Sequence, residues 1–480
     1  MTALVKVILG SIAFAVFWFL AVFPAVPFLP IGRTAGSLLG ALLMVVFQIL
    51  DPGDAYNAVN LQILALLFST MVVSVYLERA DMFQYLGKFL SWKSNGVKDL
   101  ICRICLVSAV SSALFTNDTS CMVLTEFVLK IARQKNLPPY PLLLALASSA
   151  NIGSSATLIG NPQNLVIAIE SGLFSFGSFM EGMLPAMIVG LVLNAFILLV
   201  MFWKVLSIQN EDEEDVNLRR LLPATMSHLP SNMNGNRNVG HADTQGLESR
   251  VSSDEHETTH LIVHEMSECD VLPNTWTKWR RILWKTCVYL VMVGMLVCLL
   301  MDVNMSWTAT GAALALIVLG FEDAGPSLEK VSYYLLVFFC GMFITVEGFE
   351  KTGIPSLLWD YAERYAEVTS ANGIAILALV ILVLSNSLSN VPTVLLLGAR
   401  LTGSRASMSL DDLKKAWLIL AWVSTVSGNL TLLGSAANLI VCEQARRSPH
   451  LAYNLSFWRH LKFGVPSTIA VTVVGLTLIS

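Results

Sequence analysis

Four short stretches of this sequence carry Asn, Ser and Thr beside Gly or Pro, inside runs that are otherwise apolar. Two read Phe115-Thr116-Asn117-Asp118-Thr119-Ser120 and Ser385-Asn386-Ser387-Leu388-Ser389-Asn390-Val391-Pro392-Thr393. The third runs from Asn151-Ile152-Gly153-Ser154-Ser155 through Thr157 to Gly160-Asn161-Pro162-Gln163-Asn164, and the fourth from Ser424 through Gly428-Asn429, Thr431 and Gly434 to Asn438. Gly and Pro interrupt a helix, and the amides and hydroxyls supply donors and acceptors to whatever occupies the gap. Inside a bilayer, irregular backbone is tolerated only where protein or a water-filled cavity satisfies its N–H and C=O groups. Small polar residues can instead merely tighten helix packing, an adequate reading of Ser108, Ser111 and Ser112. It is a poor reading of Gly160-Asn161-Pro162-Gln163-Asn164, where the proline removes a helical hydrogen bond and three amides need partners. The stretches therefore read as a binding site. Its candidate lining is Asn117, Asn151, Ser154, Ser155, Thr157, Asn161, Asn164, Ser389, Asn390, Thr393, Asn429, Thr431 and Asn438.

The charge inventory narrows what such a site takes. The four stretches contain no Lys, Arg or His, and Asp118 is their one ionisable residue apart from neighbouring Cys121. A di- or tricarboxylate could lean on helix N-termini but would ordinarily meet an arginine as well. A neutral polyhydroxylated solute, or a small cation, fits amides, hydroxyls and one carboxylate better. The membrane potential does no work on a neutral solute, so uphill movement requires a coupled ion. A carboxyl group in an apolar, semi-occluded place can take up a proton and release it, and an intramembrane acid is a functional candidate by default. Asp118 is thus the candidate proton carrier, with a helix-capping role as its structural competitor. Glu126 follows two turns later near the basic run Lys130–Lys135 and reads equally as salt bridge or relay. Glu78, Glu347 and Glu350 fall near span ends and read as interfacial.

Positioning these residues falls to membrane spans. Of 480 residues, 55% are hydrophobic and 13% charged, the latter about half the usual soluble share. Charge-poor runs recur at Val5–Phe23, Leu38–Leu50, Leu61–Leu77, Met183–Trp203 and Val288–Met301, each approaching the roughly 20 residues that cross a bilayer core. A soluble globular enzyme is excluded for most of the length, and the fold class is an all-α polytopic membrane protein. The first run reads as a retained helix rather than a signal peptide, because more spans follow and no small-residue cleavage site is evident. From Lys204 the chain turns polar and opens with Glu211-Asp212-Glu213-Glu214-Asp215. Such a stretch buries too little apolar surface to offset its ordering entropy, so 204–282 reads as a largely disordered linker between membrane halves 1–203 and 283–480.

Those halves resemble each other. Leu144–Ile167 aligns without a gap to Leu418–Val441, matching Ala147/Ala421, Thr157/Thr431, Leu158/Leu432, Gly160/Gly434, Asn164/Asn438 and Leu165/Leu439. Asn117 falls opposite Asn390, Glu78 opposite Glu350, and Pro185 opposite Pro466. Chance sharing of Leu and Ala does not produce collinear Thr, Gly, Asn and Pro, and such duplication marks many secondary transporters. Five spans are expected per half, 5–23, 31–50, 60–79, 141–168 and 183–203, then 284–301, 307–320, 331–350, 415–442 and 461–479. Between the third and fourth of each lies an interrupted apolar segment, 99–129 or 373–397, the second too short for two crossings; both read as re-entrant hairpins. Five crossings is an odd number, so the halves form an inverted repeat. Lys88, Lys93, Lys98, Arg103, Lys130, Arg133, Lys135, Arg446 and Arg447 fall on the linker's side, whereas Arg400, Arg405, Lys414 and Lys415 dissent. The majority places the linker in the cytoplasm and both termini outside.

The remaining features carry less. A net charge of −4 gives no reason to expect nucleic acid. Cys102 and Cys105 spell C-x-x-C in an apolar segment with no other metal-type ligands close in sequence, and neither a resident metal nor a cofactor is expected. His256-Glu257-Thr258-Thr259-His260 matches H-E-x-x-H, with His264 one turn on. That is a zinc-enzyme spacing, but it lies in a polar stretch with no apolar core around it and reads as a solvated segment.

Phe115–Asp118, Ala150–Thr157 and Ile159–Asn164 together resemble the arsenite permease and sodium–proton antiporter branch of the ion transporter superfamily. Pro27-Phe28-Leu29-Pro30-Ile31-Gly32-Arg33-Thr34-Ala35-Gly36 and Leu143–Ser149 resemble, more narrowly, the plant low-silicon efflux transporters. The resemblance covers both halves but not the linker. It implies a scaffold with an elevator-type transport domain, a homodimer, and plasma-membrane export of silicic acid, linked to arsenite, in exchange for protons. Many bacterial relatives read Gly-Asp-Pro where this chain has Gly160-Asn161-Pro162, which removes a charge and counts against sodium exchange. Sodium-coupled carboxylate carriers have Ser-Asn-Thr at both hairpin tips, whereas the first tip here is Thr116-Asn117-Asp118. A sodium–proton or other small-ion antiporter stays the alternative, with a linker zinc metalloenzyme behind it.

Overall fold

The computed structural model describes residues 3–22, 32–91, 96–204, 275–320, 324–363, 365, 368–403, 408–449 and 451–479. The H-E-x-x-H segment, nearly all of the expected linker, Arg405 and the 27–31 part of the family motif lie outside them. The chain divides into a body formed by 1–211 with 283–480, and a segment 212–282 whose described residues begin one helix.

Every regular element among the described residues is an α-helix. In the first half these are α1 (Ala3–Val22), α2 (Gly32–Val46), α3 (Pro52–Ala58), α4 (Leu61–Arg79), α5 (Met82–Ser91), α6 (Val97–Leu114), α7 (Asn117–Gln134), α8 (Pro139–Ser154), α9 (Pro162–Ser171) and α10 (Phe176–Met201). In the second they are α11 (Thr275–Leu300), α12 (Met305–Leu319), α13 (Gly325–Leu328), α14 (Tyr333–Glu350), α15 (Ile354–Glu363), α16 (Ala371–Leu388), α17 (Asn390–Gly403), α18 (Leu410–Ser427), α19 (Ala436–Arg447) and α20 (Phe457–Leu476). The protein is an all-α, multi-pass membrane protein. By length and composition α1, α4, α10, α11, α14 and α16 are each able to cross a bilayer. The short helices α3, α5, α13 and α15 fall between the expected spans, where the sequence reading had only connections.

The order is the same in both halves, and several contacts between the halves are reciprocal. Helix α2 lies on α14 while α4 lies on α12; α7 lies on α19 while α9 lies on α17; α10 lies on α20. The polar contacts at the ends of α4 and α14 follow the same logic. Lys351 pairs with Asp54 of α3, and Lys330, just after α13, with Glu78 of α4.

The two expected fourth spans form the centre. Every residue from Pro141 to Ser154 in α8 and from Ala416 to Ser427 in α18 is buried, and a helix enclosed on all sides is a core element. Around α8 pack α6, α7, α10 and α19; around α18 pack α16, α17 and α20. Glu350, the last residue of α14, pairs with Arg400 of α17, and both side chains are mostly covered.

Helix α6 approaches α8 so closely that a Cβ on Gly153 would lie 2.3 Å from Ala109 Cα. Backbone cannot step aside as a side-chain tip can, so Gly153→Ala is expected to cost about 1–3 kcal/mol as an overpacked contact. Gly177, around which a Cβ meets nothing within 4 Å, should tolerate alanine. Thermal unfolding of both variants in detergent checks this: a clear drop in Tm for the first, little change for the second.

Candidate functional site

The fourth span of each half stops and restarts. Helix α8 ends at Ser154 and α9 begins at Pro162, whose missing N–H costs nothing at a first helical position. Asn161 is extended (φ −153°, ψ 158°) and caps α9, its Oδ1 accepting from Asn164 N at 2.8 Å. In the second half α18 ends at Ser427 and Ser435 caps α19, its Oγ accepting from Ala437 N at 3.2 Å. No proline is present at this second break, so the cap and the glycines Gly428 and Gly434 set it.

One asparagine braces each break. Asn164 Nδ2 donates to Thr157 O (2.9 Å) and Ser154 O (3.2 Å). Asn438, its partner in the gap-free alignment, donates to the aligned carbonyls, Thr431 O (3.0 Å) and Gly428 O (2.8 Å). The carbonyls freed by cutting the helix are thus met by a side chain from the next helix. The two breaks also reach for each other. Asn161 Nδ2 donates to Thr425 Oγ1 at 3.3 Å, and the aligned pair repeats it, Ser435 Oγ donating to Asn151 Oδ1 at 2.9 Å.

Asn151 is the most connected of these side chains. Its Oδ1 also accepts from Asn117 Nδ2 (3.2 Å), and its Nδ2 donates to Asn429 Oδ1 (2.8 Å) and Asn438 Oδ1 (3.3 Å). All its hydrogen-bonding capacity is therefore used, joining both breaks and the first hairpin. That hairpin, α6–α7, turns at Phe115–Thr116 and is closed by Ser111 and Ser120, whose Oγ atoms lie 2.9 Å apart. Its tip meets the first break through Asn117 N to Gly160 O (3.0 Å) and Thr157 Oγ1 to Ala113 O (2.6 Å). The second hairpin, α16–α17, turns at Ser389, which has φ +81°. Its Asn386 donates to Ser427 O (3.0 Å) and accepts from Thr431 Oγ1 (3.2 Å), meeting the second break.

Among the expected residues, Asn117, Asn151, Ser154, Thr157, Asn161, Asn164, Asn429, Thr431 and Asn438 fall in this one network. The Ser155 hydroxyl turns back to Ile152 O, and Thr393 Oγ1 to Ser389 O, within their own segments. Asn390 is buried with Oδ1 unpartnered within the protein, whereas Ser389 is exposed at its tip. Thr116, not Asp118, caps α7, accepting from Thr119 N; Asp118 Oδ1 is buried and has no protein partner. Glu126 is exposed on α7, away from the network.

Several participants were not among the candidate lining residues, some of them inside the four stretches and some outside. Gln163 and Thr425 join at 3.3 Å, and Ser435 and Asn386 serve as above. Buried His460 of α20 lies with Nε2 3.1 Å from Asn429 O and Nδ1 unpartnered. Asn194 of α10 donates to Ser148 Oγ (2.8 Å) and accepts from Ser467 Oγ (2.9 Å). The absence of a cation holds for the four stretches but not for their surroundings: Arg33 of α2 stands beside the second hairpin tip and within electrostatic reach of Asp118. Distant segments supply both Arg33 and His460, which is why local spacing gives no sign of them. No three metal-type ligands converge among the described residues. The site offers amide and hydroxyl groups, one carboxylate and one guanidinium, a set that binds a polar solute rather than activating a nucleophile.

The braces make a quantitative expectation. Asn164→Ala leaves two buried carbonyls without their donor, worth roughly 2–4 kcal/mol. Asn438→Ala should cost more, because Asn438 Oδ1 also accepts from Asn151 whereas Asn164 Oδ1 has no partner. Denaturation midpoints of the two variants read the order directly.

Comparison with known proteins agrees with this architecture. Residues 12–427 match the family model described as citrate transporter, CitMHS. The chain is 51% identical over 492 residues to the silicon efflux transporter LSI3 of Oryza sativa subsp. japonica, covering 100% of this chain and 99% of that protein. It is 32% identical over 510 residues to a Dictyostelium discoideum protein named as a transporter, arsB (94% and 88% covered). It is 25% identical over 462 residues to a 46 kDa membrane protein of Mycobacterium leprae (93% and 92% covered). The chain belongs to the CitMHS family and is a secondary transporter, not an enzyme.

Proposed function

We propose that this protein exports silicic acid, and also arsenous acid, across the plasma membrane in exchange for protons. The observation that carries the reading is the meeting of two broken helices and two hairpin tips around Asn151, which gathers amides and hydroxyls beside a single carboxylate. Silicic acid presents four hydroxyls and arsenous acid three, both neutral at physiological pH, and each hydroxyl can donate and accept. The near-full-length similarity to a protein named as a silicon efflux transporter supports the same substrate.

In this reading the solute sits against Asn117, Ser154, Thr157, Asn161, Asn164, Ser389, Asn390, Thr393, Asn429, Thr431 and Asn438, with Asn151, whose donors and acceptors are all engaged within the protein, holding these groups in place and Ser155 supporting the first break. Asn390 Oδ1 and Asn164 Oδ1 are acceptors with no protein partner. Asp118 carries the proton: its unpartnered carboxylate oxygen can accept one, and the neutral and charged forms favour different access states. Glu126, exposed on the outer face of α7, relays protons at most between bulk and hairpin. The group α1, α2, α4, α12 and α14 serves as scaffold, and the hairpins with the broken helices move against it. Reciprocal packing of the halves supports an inverted repeat, with the linker 204–282 cytoplasmic and the termini outside. Each hairpin tip meets the middle of a broken span, which favours re-entrant hairpins although α16 alone is long enough to cross. A homodimer completes the proposed arrangement.

Proteoliposomes holding the full chain test it. An imposed pH gradient should drive silicic acid uphill, and arsenous acid likewise. Asp118→Asn should abolish accumulation while leaving the protein monodisperse and inserted. Sodium-dependent proton flux without silicic acid transport would identify a small-ion antiporter instead, and undiminished pH-driven transport by Asp118→Asn would remove the proton carrier.

A further inference from the structure

We propose that His460 is a positioning residue that responds to protons: its neutral imidazole holds the second break in the shape that binds the solute, and protonation releases it. The inference rests on the solute site proposed above and adds a second titratable group to it. His460 of α20 is 3% exposed, and its Nε2 lies 3.1 Å from Asn429 O. A carbonyl oxygen only accepts, so Nε2 carries the hydrogen and the neutral ring keeps a bare lone pair at Nδ1. That Nδ1 is buried and has no partner within the protein. Asn429 in turn ties the second break to the site, its Oδ1 accepting from Asn151 Nδ2 (2.8 Å) and its Nδ2 donating to Ser148 O (3.2 Å). One turn along α20, a Cβ on Gly464 would lie 2.5 Å from Asn429 O and 2.4 Å from Leu430 O. Helix α20 therefore sits directly on the main chain of the break, and His460 is the donor that meets it.

The first half has no such donor. Ser175 and Ser456 stand at the N-caps of α10 and α20, with Pro185 and Pro466 at the same spacing beyond them, which sets Phe179 opposite His460. Phe179 is buried edge-on against Phe174, ring centroids 5.7 Å apart. Packing at this position needs only an apolar ring, so the imidazole serves through its nitrogens.

Protonation changes what the position can hold. An imidazolium donates from both nitrogens, and the Nδ1 hydrogen would find no acceptor in the protein. Nor is a compensating anion at hand. The helices packed on α20 run antiparallel to it, Asn194 and Gly190 of α10 meeting Ser467 and Val471, and Trp422 of α18 meeting Gly475. Their charged groups, Glu181 on α10 and Asp411, Asp412, Lys414 and Lys415 on α18, thus lie toward the opposite end of α20. Arg459, Lys462 and, past the end of α10, Lys204 are exposed, and no charged side chain is among the groups that act on His460. A buried charge with nothing to meet it is strongly disfavoured, so proton uptake requires the ring to leave this place and give up Asn429 O. The hold on the break is present while the imidazole is neutral and is lost as pH falls through its titration. By linkage, a solute that binds the held break opposes the proton, and the more acidic side of the membrane favours release.

Hydrogen–deuterium exchange of the full chain in lipid nanodiscs reads this hold without any solute. Corrected for intrinsic exchange, protection of the 428–435 amides should fall about tenfold or more between about pH 8 and about pH 5, where imidazole ordinarily titrates. His460→Gln keeps a donor that cannot ionise, so its protection should stay level. His460→Phe, which copies the first half, should be poorly protected throughout. Silicic acid counterflow at equal pH on both sides should follow the same order. KM rises about fivefold on acidification in the unmodified chain, the scale of one hydrogen bond, and much less in His460→Gln, any remaining slope belonging to Asp118. Level protection in the unmodified chain overturns the inference, even if the variants fail to fold, and so does a His460→Gln profile that follows the unmodified one. Absence of counterflow in the unmodified chain overturns the functional reading instead, while the exchange measurement still decides the role of His460.

Discussion

A helix cut inside a bilayer frees carbonyl and N–H groups that no solvent is there to satisfy, and the rest of this structure follows from how that demand is met. Asn164 and Asn438 meet it from within, each sending its amide back to two carbonyls at the end of the preceding helix and in the break that follows it. Two braces fix two breaks, and the breaks fix everything that touches them. Hairpin tips can dock on Gly160 O and Ser427 O only because those carbonyls are turned out of a helical ladder.

The second consequence is reciprocity. Ser435 to Asn151 and Asn161 to Thr425 are the same bond made twice, in opposite directions, by aligned residues. The halves are not identical, however. Asn151 faces Thr425, the first break has a proline and the second has none, and His460 has no counterpart histidine in α10.

Sequence patterning located the breaks because Gly, Pro and Asn at membrane depth have few other physical uses. It located the central spans because α8 from Pro141 and α18 from Ala416 carry no charged residue, and it matched the halves because the braces are the same residue at aligned positions. It did not find the helices α3, α5, α13 and α15, which are too short to register against the long spans beside them. It assigned Asp118 a capping competitor that Thr116 in fact displaces, and it gave no sign that Arg400 pairs with Glu350. Above all it excluded a cation from the site by inspecting four segments. Arg33 lies some eighty residues before the first hairpin tip and His460 beyond the last break, so only the fold brings them in. An inventory of local motifs is blind to groups delivered by packing.

The central claim is that two braced interruptions face a shared polar space that holds the solute. A density map of the full chain in lipid nanodiscs with silicic acid present tests it most directly. The account requires helices that end near Ser154 and Ser427 and restart near Pro162 and Ala436, the Asn164 and Asn438 side chains spanning the gaps, and solute density among the amides around Asn151. Continuous helices through both segments, with those two asparagines turned outward and the solute bound elsewhere, would contradict it.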